Sequence, residues 1–344
     1  MSTRILVTGN QGYIGCVLVR MLLEQGYQVS GLDTGYYDGC DFGPPVATIP
    51  TLRKDIRDVG PADLDGFAVV IHLAALSNDP LGELNPEWTE EINRGASLRL
   101  ASLARQAGVE RFLYASSCSI YGAGGGAEAL AEDAPLQPLS AYARSKVRSE
   151  QEISQLADDR FSPVFLRSAT AYGVSPRMRF DLVLNNLVGW AFTTGRVCIL
   201  SDGTPWRPIV HIEDIAQAFL VALAAARERV HNRAFNVGAT NQNFQVRDIA
   251  RVVQETVPGC VVEYAGTAGP DPRDYRVSFE WIRQELPAFS PRWTLESGSR
   301  EIYEACRAAN LTPAQFQGPR YNRLKQLQSL LQQQALDPSL RWCP

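Results

Sequence analysis

Histidine is scarce, no apolar run is long, and neither charge is in large excess. Three histidines in 344 residues leave too few imidazoles for a His-rich metal site, so no metal is expected. Seven cysteines (Cys16, Cys40, Cys118, Cys198, Cys260, Cys306, Cys343) are scattered with no Cys-x-x-Cys pair, which points to neither a zinc site nor a disulfide framework. No apolar stretch approaches the roughly 20 residues that cross a bilayer. Met1-Ser2-Thr3-Arg4 runs straight into Ile5-Leu6-Val7, without the longer apolar stretch and cleavage site of a signal peptide. A formal net charge of −4 gives no sign of a nucleic-acid or membrane partner. What is present is 45% apolar and 20% charged residues, enough for a globular protein with a sizeable core. At this length the expectation is a cytoplasmic enzyme of two domains or one large α/β domain.

The first half alternates short apolar runs with helical patterns. Ile5–Val7, Gln28–Leu32, Val69–Leu73 and Phe112–Ala115 read as strands. Ile14, Val17, Leu18, Met21 and Leu22 recur at helical spacing after the first, with Gly26 as a stop. A longer helical pattern runs from Ile92 through Ala104 towards Gly108. Strand–helix alternation with strands apolar on both faces predicts a doubly wound parallel sheet of the Rossmann type, covered by helices. The rhythm changes near residue 170. The expected division is a dinucleotide-binding domain over 1–170, rejoined by about 206–240, and a smaller, discontinuous α/β substrate lobe over 171–205 and 241–320. Gly122–Pro138 reads as a flexible surface loop, and residues 321–344 as a C-terminal extension whose Gln-rich, weakly helical part, Leu324–Leu336, reads as an appendage rather than chemistry.

Thr8-Gly9-Asn10-Gln11-Gly12-Tyr13-Ile14-Gly15 follows the first strand and opens the first helix. Glycines let the backbone approach a pyrophosphate, and the helix N-terminus offers it unpaired N–H groups. An ordinary strand-to-helix turn is the alternative. Asp33 closes the second strand about 20 residues on, where a carboxylate accepts hydrogen bonds from the adenosine ribose. It would repel a 2′-phosphate, and no arginine follows it in Thr34-Gly35-Tyr36-Tyr37, so NAD is favoured over NADP. Tyr142 and Lys146 lie one helical turn apart, on one face. An ammonium beside a phenol, with a positive nicotinamide ring, favours the phenolate that an acid/base catalyst needs. A chance Tyr/Lys spacing on a surface helix is the alternative.

These motifs occur in order with Asp55-Ile56-Arg57-Asp58, His72-Leu73-Ala74-Ala75 and Ser116-Ser117-Cys118-Ser119-Ile120-Tyr121-Gly122. Together they resemble the extended short-chain dehydrogenases/reductases of the nucleotide-sugar epimerase/dehydratase family, over at least residues 4–285. The resemblance implies that NAD is held by Gly9, Gln11, Gly12, Tyr13, Ile14, Gly15, Asp33, Asp55, Ile56, Leu73, Ala74, Ala75, Asn93, Tyr142 and Lys146. It makes Tyr142 the acid/base and Lys146 the ligand of the nicotinamide ribose, with Ser117 on the sugar oxygen being oxidised. It also implies a homodimer through a four-helix bundle.

The residues after Ser117 narrow the reaction. Family 4,6-dehydratases carry Thr-Asp-Glu here, and related decarboxylases a glutamate at Ser119; this chain has Ser117-Cys118-Ser119. The resemblance therefore points to 4-epimerisation of a nucleotide-diphosphate sugar, with an NAD(P)H-dependent 4-ketoreductase or another oxidising enzyme of the family (decarboxylase, 3,5-epimerase) as the alternative and a non-enzymatic dinucleotide sensor as a third. Cys118 is either a small buried side chain or a thiol acid/base. Arg207 and Arg273 (preferred to Arg276) are expected on the substrate diphosphate with Asn186, and Thr170 on the sugar, where the family usually has asparagine. Arg177 and Arg179 are left without a ranked role, and His211 reads as structural.

Overall fold

The computed structural model describes residues 3–122, 128–264 and 273–343. Its strands are β1 (Arg4–Thr8), β2 (Gln28–Asp33), β3 (Thr51–Arg53), β4 (Val69–His72), β5 (Arg111–Ser117), β6 (Ser162–Ser168), β7 (Thr170–Tyr172), β8 (Arg196–Ile199), β9 (Trp206–His211), β10 (Arg233–Val237), β11 (Asn243–Gln245) and β12 (Val261–Tyr264). The helices of eight or more residues are α1 (Tyr13–Glu24), α2 (Ala96–Gln106), α3 (Ala141–Ser154), α4 (Val183–Thr194), α5 (Ile212–Ala224), α6 (Val246–Thr256), α7 (Leu295–Ala308) and α8 (Arg323–Gln332).

Seven strands form one sheet in the order β10-β6-β5-β4-β1-β2-β3, and every adjacent pair is parallel. The expected doubly wound Rossmann-type sheet is therefore present. Alternation along each strand sends side chains to two cores. Ile5, Val7, Val69, Ile71 and Leu113 meet α1 and α5 on one face. Leu6, Leu32, Val70, Phe112 and Tyr114 meet α2 on the other. Chain order reverses between β1 and β4, which opens a crevice at their carboxyl ends. From β6 the chain steps through Ala169 into β7, in a second sheet ordered β11-β9-β7. β8 and β12 form a separate parallel pair.

Three expectations change. The pattern from Ile92 to Ala104 is not one regular helix: a π-type turn over Glu90–Gly95 precedes α2. Asn93, fully buried in that turn, accepts from Leu76 N at 2.8 Å and donates to Leu76 O at 3.0 Å. Such turns let one side chain leave the regular ladder. In the segment Gly122–Pro138, residues 123–127, with Gly124-Gly125-Gly126, lie outside the described residues. The remainder is tied down rather than free: Leu130 exchanges backbone hydrogen bonds with Arg276 and Ser278, and Glu132 accepts from Asn236 N at 2.7 Å. The C-terminal appendage is packed into the second core, where Leu327, Leu336 and Leu340 are buried with Leu32, Tyr36 and Ile56.

Candidate active site

A cleft of ≈ 1130 Å³ lies over the carboxyl ends of β1 and β4 and runs to the second sheet. Its floor is the glycine turn. Gly9 has φ +72°, and a Cβ there would stand 2.8 Å from Ala74 N. On Gly15 a Cβ would meet Gly9 O at 2.1 Å. Gly12 caps α1 without a side-chain acceptor, so the amides of the first turn keep their positive end free for an anion. Asp33 accepts from Gln11 N at 3.0 Å and from Gly35 N at 2.9 Å. Burial raises its carboxyl above the ordinary value, against those two hydrogen bonds. A bare amide cradle beside a positioned carboxylate fits the pyrophosphate and ribose of a dinucleotide.

Across the cleft, α3 starts on a built cap. Ser140 Oγ accepts from Ala143 N at 3.1 Å, and Glu83 accepts from Ala141 N at 2.8 Å. Tyr142 thus sits in the first turn and Lys146 one turn on. Lys146 Nζ donates to Ala115 O at 2.7 Å and lies 5.7 Å from the centre of the Tyr142 ring. Ser117, at the end of β5, accepts from Ser119 N at 3.2 Å and lines the cleft with Tyr142. Burial pushes the Tyr142 phenol up to about 12, helped by the Asp79 charge, while Ser117 and Arg179 act to lower it. Burial also brings Lys146 down to about 7, against the pull of Glu150. At the phenol, burial outweighs the groups that lower it, and a positive nicotinamide ring would add to those groups.

Gly9, Gly12, Tyr13, Ile14, Gly15, Asp33, Asp55, Ile56, Leu73, Ala74, Ala75, Ser117, Tyr142, Lys146, Thr170, Asn186, Arg207 and Arg273 all line this one cleft. Three expected site residues do not. Gln11 contributes its backbone N–H to Asp33 instead. Asn93 stands behind the wall, holding Leu76. Cys118 is buried with its thiol 3.1 Å from Arg167 O, and burial pushes that thiol well up. Successive residues leaving β5 point apart, so Ser117 faces the cleft and Cys118 the core. Asp271 and Pro272 lie outside the described residues, while Arg273 reaches the cleft and contacts Asp79 at 2.9 Å. Arg207 donates to Trp206 O at 2.7 Å and to Arg273 O. Asn186 donates to Phe180 O at 2.7 Å. His211, with its side chain buried, stacks on Trp293 at 3.8 Å and pairs with Glu301 at 2.9 Å. Tyr37, Asp79 and Arg323 also line the cleft and carried no motif. Tyr37 had one signal, its place four residues after Asp33.

A doubly wound sheet with a glycine turn and a fixed carboxylate at its switch point defines a dinucleotide-binding protein of the Rossmann class. Residues 5–238 match the model of the NAD dependent epimerase/dehydratase family, and the chain belongs to that family. It is therefore an NAD-dependent enzyme of the extended short-chain dehydrogenase/reductase type. It is 29% identical to the UDP-glucose 4-epimerase of Corynebacterium glutamicum, over 82% of this chain and 89% of that one. Human dTDP-D-glucose 4,6-dehydratase is 26% identical over 74% of this chain and 75% of its own length. Among solved structures, MoeE5 in complex with UDP-glucuronic acid and NAD is 28% identical with a TM-score of 0.77, covering 89% of this chain and 99% of that chain.

Proposed function

We propose that this protein is a 4-epimerase of a nucleotide-diphosphate sugar that works through transient oxidation. The observation that carries the reading is Ser117, Tyr142 and Lys146 gathered at one end of the dinucleotide cleft, with the cleft's nearby carboxylates already engaged. Asp79 accepts from Ser140 and Arg273, Glu83 holds the start of α3, and Asp181 binds Arg179. Dehydration needs an acid and a base free to eliminate water; epimerisation needs only one proton acceptor that later gives the proton back.

NAD, held by the glycine turn, Asp33 and Lys146, supplies reversible hydride acceptance and a positive charge. Tyr142 takes the proton of the C4 hydroxyl, with Ser117 sharing that oxygen. Lys146, Ser117 and the N-terminal end of α3 stabilise the phenolate that burial disfavours. The same phenol returns the proton once the keto sugar has presented its other face. Arg207 and Arg273 offer guanidiniums to the diphosphate, and Asn186 and Thr170 line the sugar end. By family resemblance the enzyme works as a homodimer paired through α2 and α3.

A second reading rests on Asp79, whose charge acts on Tyr142: it would serve as the acid of a dehydratase. The test is incubation of the purified protein with a panel of nucleotide sugars, without added cofactor, followed by NMR and mass spectrometry. An epimerase yields a product of unchanged mass with inverted C4. Loss of water from the product would establish the second reading instead.

A further inference from the structure

The C-terminal extension reaches the cofactor half of the cleft, and one of its side chains enters it. Arg323, the first residue of α8, is 2% exposed and lines the same cleft as Gly12 and Asp33. Its Nη2 donates to Arg177 O at 3.0 Å, and its guanidinium lies 3.8 Å from the centre of the Tyr37 ring. Its Nη1 is buried with no hydrogen-bond partner. Two carboxylates of the same cleft are already engaged: Asp181 is held by Arg179 at 3.0 and 2.9 Å, and Asp33 accepts from Gln11 N and Gly35 N. The guanidiniums of Arg179 and Arg323 line the cleft together. A buried cation with an unsatisfied donor is costly unless an anion completes it.

The chain beyond α8 then grips the two segments that flank the adenosine end. Trp342 Nε1 donates to Thr34 O at 2.7 Å, directly after Asp33. Tyr36 donates to Leu340 O. Arg341 pairs with Asp58 and with Asp55, the latter at 3.5 Å. These contacts join the end of the chain to the loop after β2 and to Asp55, both part of the cleft wall.

We propose that Arg323 is a ligand of the dinucleotide pyrophosphate, and that the segment after it is a clasp that slows release of the cofactor. The diphosphate is the one anion that the glycine turn is built to hold, and a guanidinium binds it by paired, charge-assisted hydrogen bonds. This inference rests on dinucleotide binding and not on the epimerase reading. The nucleotide sugar carries a diphosphate too, so the test separates the two.

The experiment compares wild-type enzyme with Arg323→Gln and with the double variant Arg341→Ala/Trp342→Ala. Three things are measured: NAD released per protomer on acid denaturation, the rate of NAD dissociation, and UDP affinity by calorimetry. For Arg323→Gln the expectation is NAD release at least tenfold faster and little retained cofactor, with UDP affinity changed less than twofold. The double variant, altered at the surface, also releases NAD faster at unchanged melting temperature. A folded Arg323→Gln with wild-type NAD content and release overturns the proposal, as does a loss confined to UDP binding. Should Arg323→Gln fail to fold, the double variant decides: unchanged NAD release refutes the clasp.

Discussion

At Tyr142 burial raises the phenol to about 12 while Ser117 and Arg179 act to lower it. The hydroxyl is the only group proposed to move a proton, so Tyr142→Phe removes the transfer and leaves the packing of the ring. Turnover of the nucleotide sugar is expected to fall about 10²- to 10⁴-fold. Retained NAD should change much less than turnover, because the glycine turn, Asp33 and Lys146 stay in place and only one hydroxyl beside the cofactor is lost. Residual activity within twofold of wild type would show that another residue moves the proton. His72 makes a different kind of test. Its ring bridges Thr8 Oγ1 at 2.6 Å and Ser97 Oγ at 2.7 Å beneath the glycine turn. Burial brings it from 6.5 down to about 3, with Lys146 adding to the effect. The unfolded chain binds this proton below pH 6.5 and the folded one does not until about pH 3. Stability is therefore complete above 6.5 and lost as the pH falls, by about 1.4 kcal/mol per pH unit. Against His72→Asn, which cannot titrate, the wild-type advantage in urea unfolding should shrink by about 2 kcal/mol between pH 7 and pH 5. A difference independent of pH would mean that His72 carries a proton in the folded state.

At the scale of elements, the turn between β1 and α1 is where sequence pattern and geometry agree most closely. Gly15 is set against Gly9 O so tightly that a methyl group, 2.1 Å away, displaces backbone rather than a side chain. Gly15→Ala should cost about 1–3 kcal/mol of stability and lose bound NAD. Gly12→Ala, whose nearest contact is 3.1 Å, should cost less. Chemical denaturation of both variants checks the order. Such elements were legible because glycine spacing, a following helical period and a strand-ending carboxylate are local signals. The parallel strands and the Tyr142–Lys146 turn were legible for the same reason. The setting of Asn93, close behind the cofactor path, was expected only through the resemblance: its partner Leu76 is 17 residues away in sequence and adjacent in space, so no local pattern carries the contact. Cys118 was left open between core and cleft, and strand alternation decides it. Arg323 had no local signal at all: its meaning comes from Tyr37, Arg177 and the cleft, none of them near it in sequence.

At the scale of the molecule, the cleft draws its walls from segments that are far apart along the chain. The glycine turn and Asp33 come from its start, Tyr142 and Lys146 from its middle, Arg207 from the second sheet and Arg323 from its end. β6 runs into β7 through a single residue, and β10 returns to pair with β6, so the two sheets are threaded together more than once. A ligand spanning such a cleft binds only the assembled arrangement, and linkage then stabilises the whole fold by RT ln(1 + [L]/Kd), about 2.7 kcal/mol at a hundredfold excess over Kd. Protein stripped of cofactor and reloaded with NAD should therefore melt several degrees higher in a single calorimetric transition. NADP at the same concentration should give a much smaller shift. The Asp33 carboxylate, fixed by Gln11 N and Gly35 N, has no freedom to turn away from a 2′-phosphate. Equal shifts for the two dinucleotides would show that Arg323 compensates Asp33 at the ribose rather than serving the pyrophosphate. A transition split in two by NAD would show that the sheets unfold separately, against the threading.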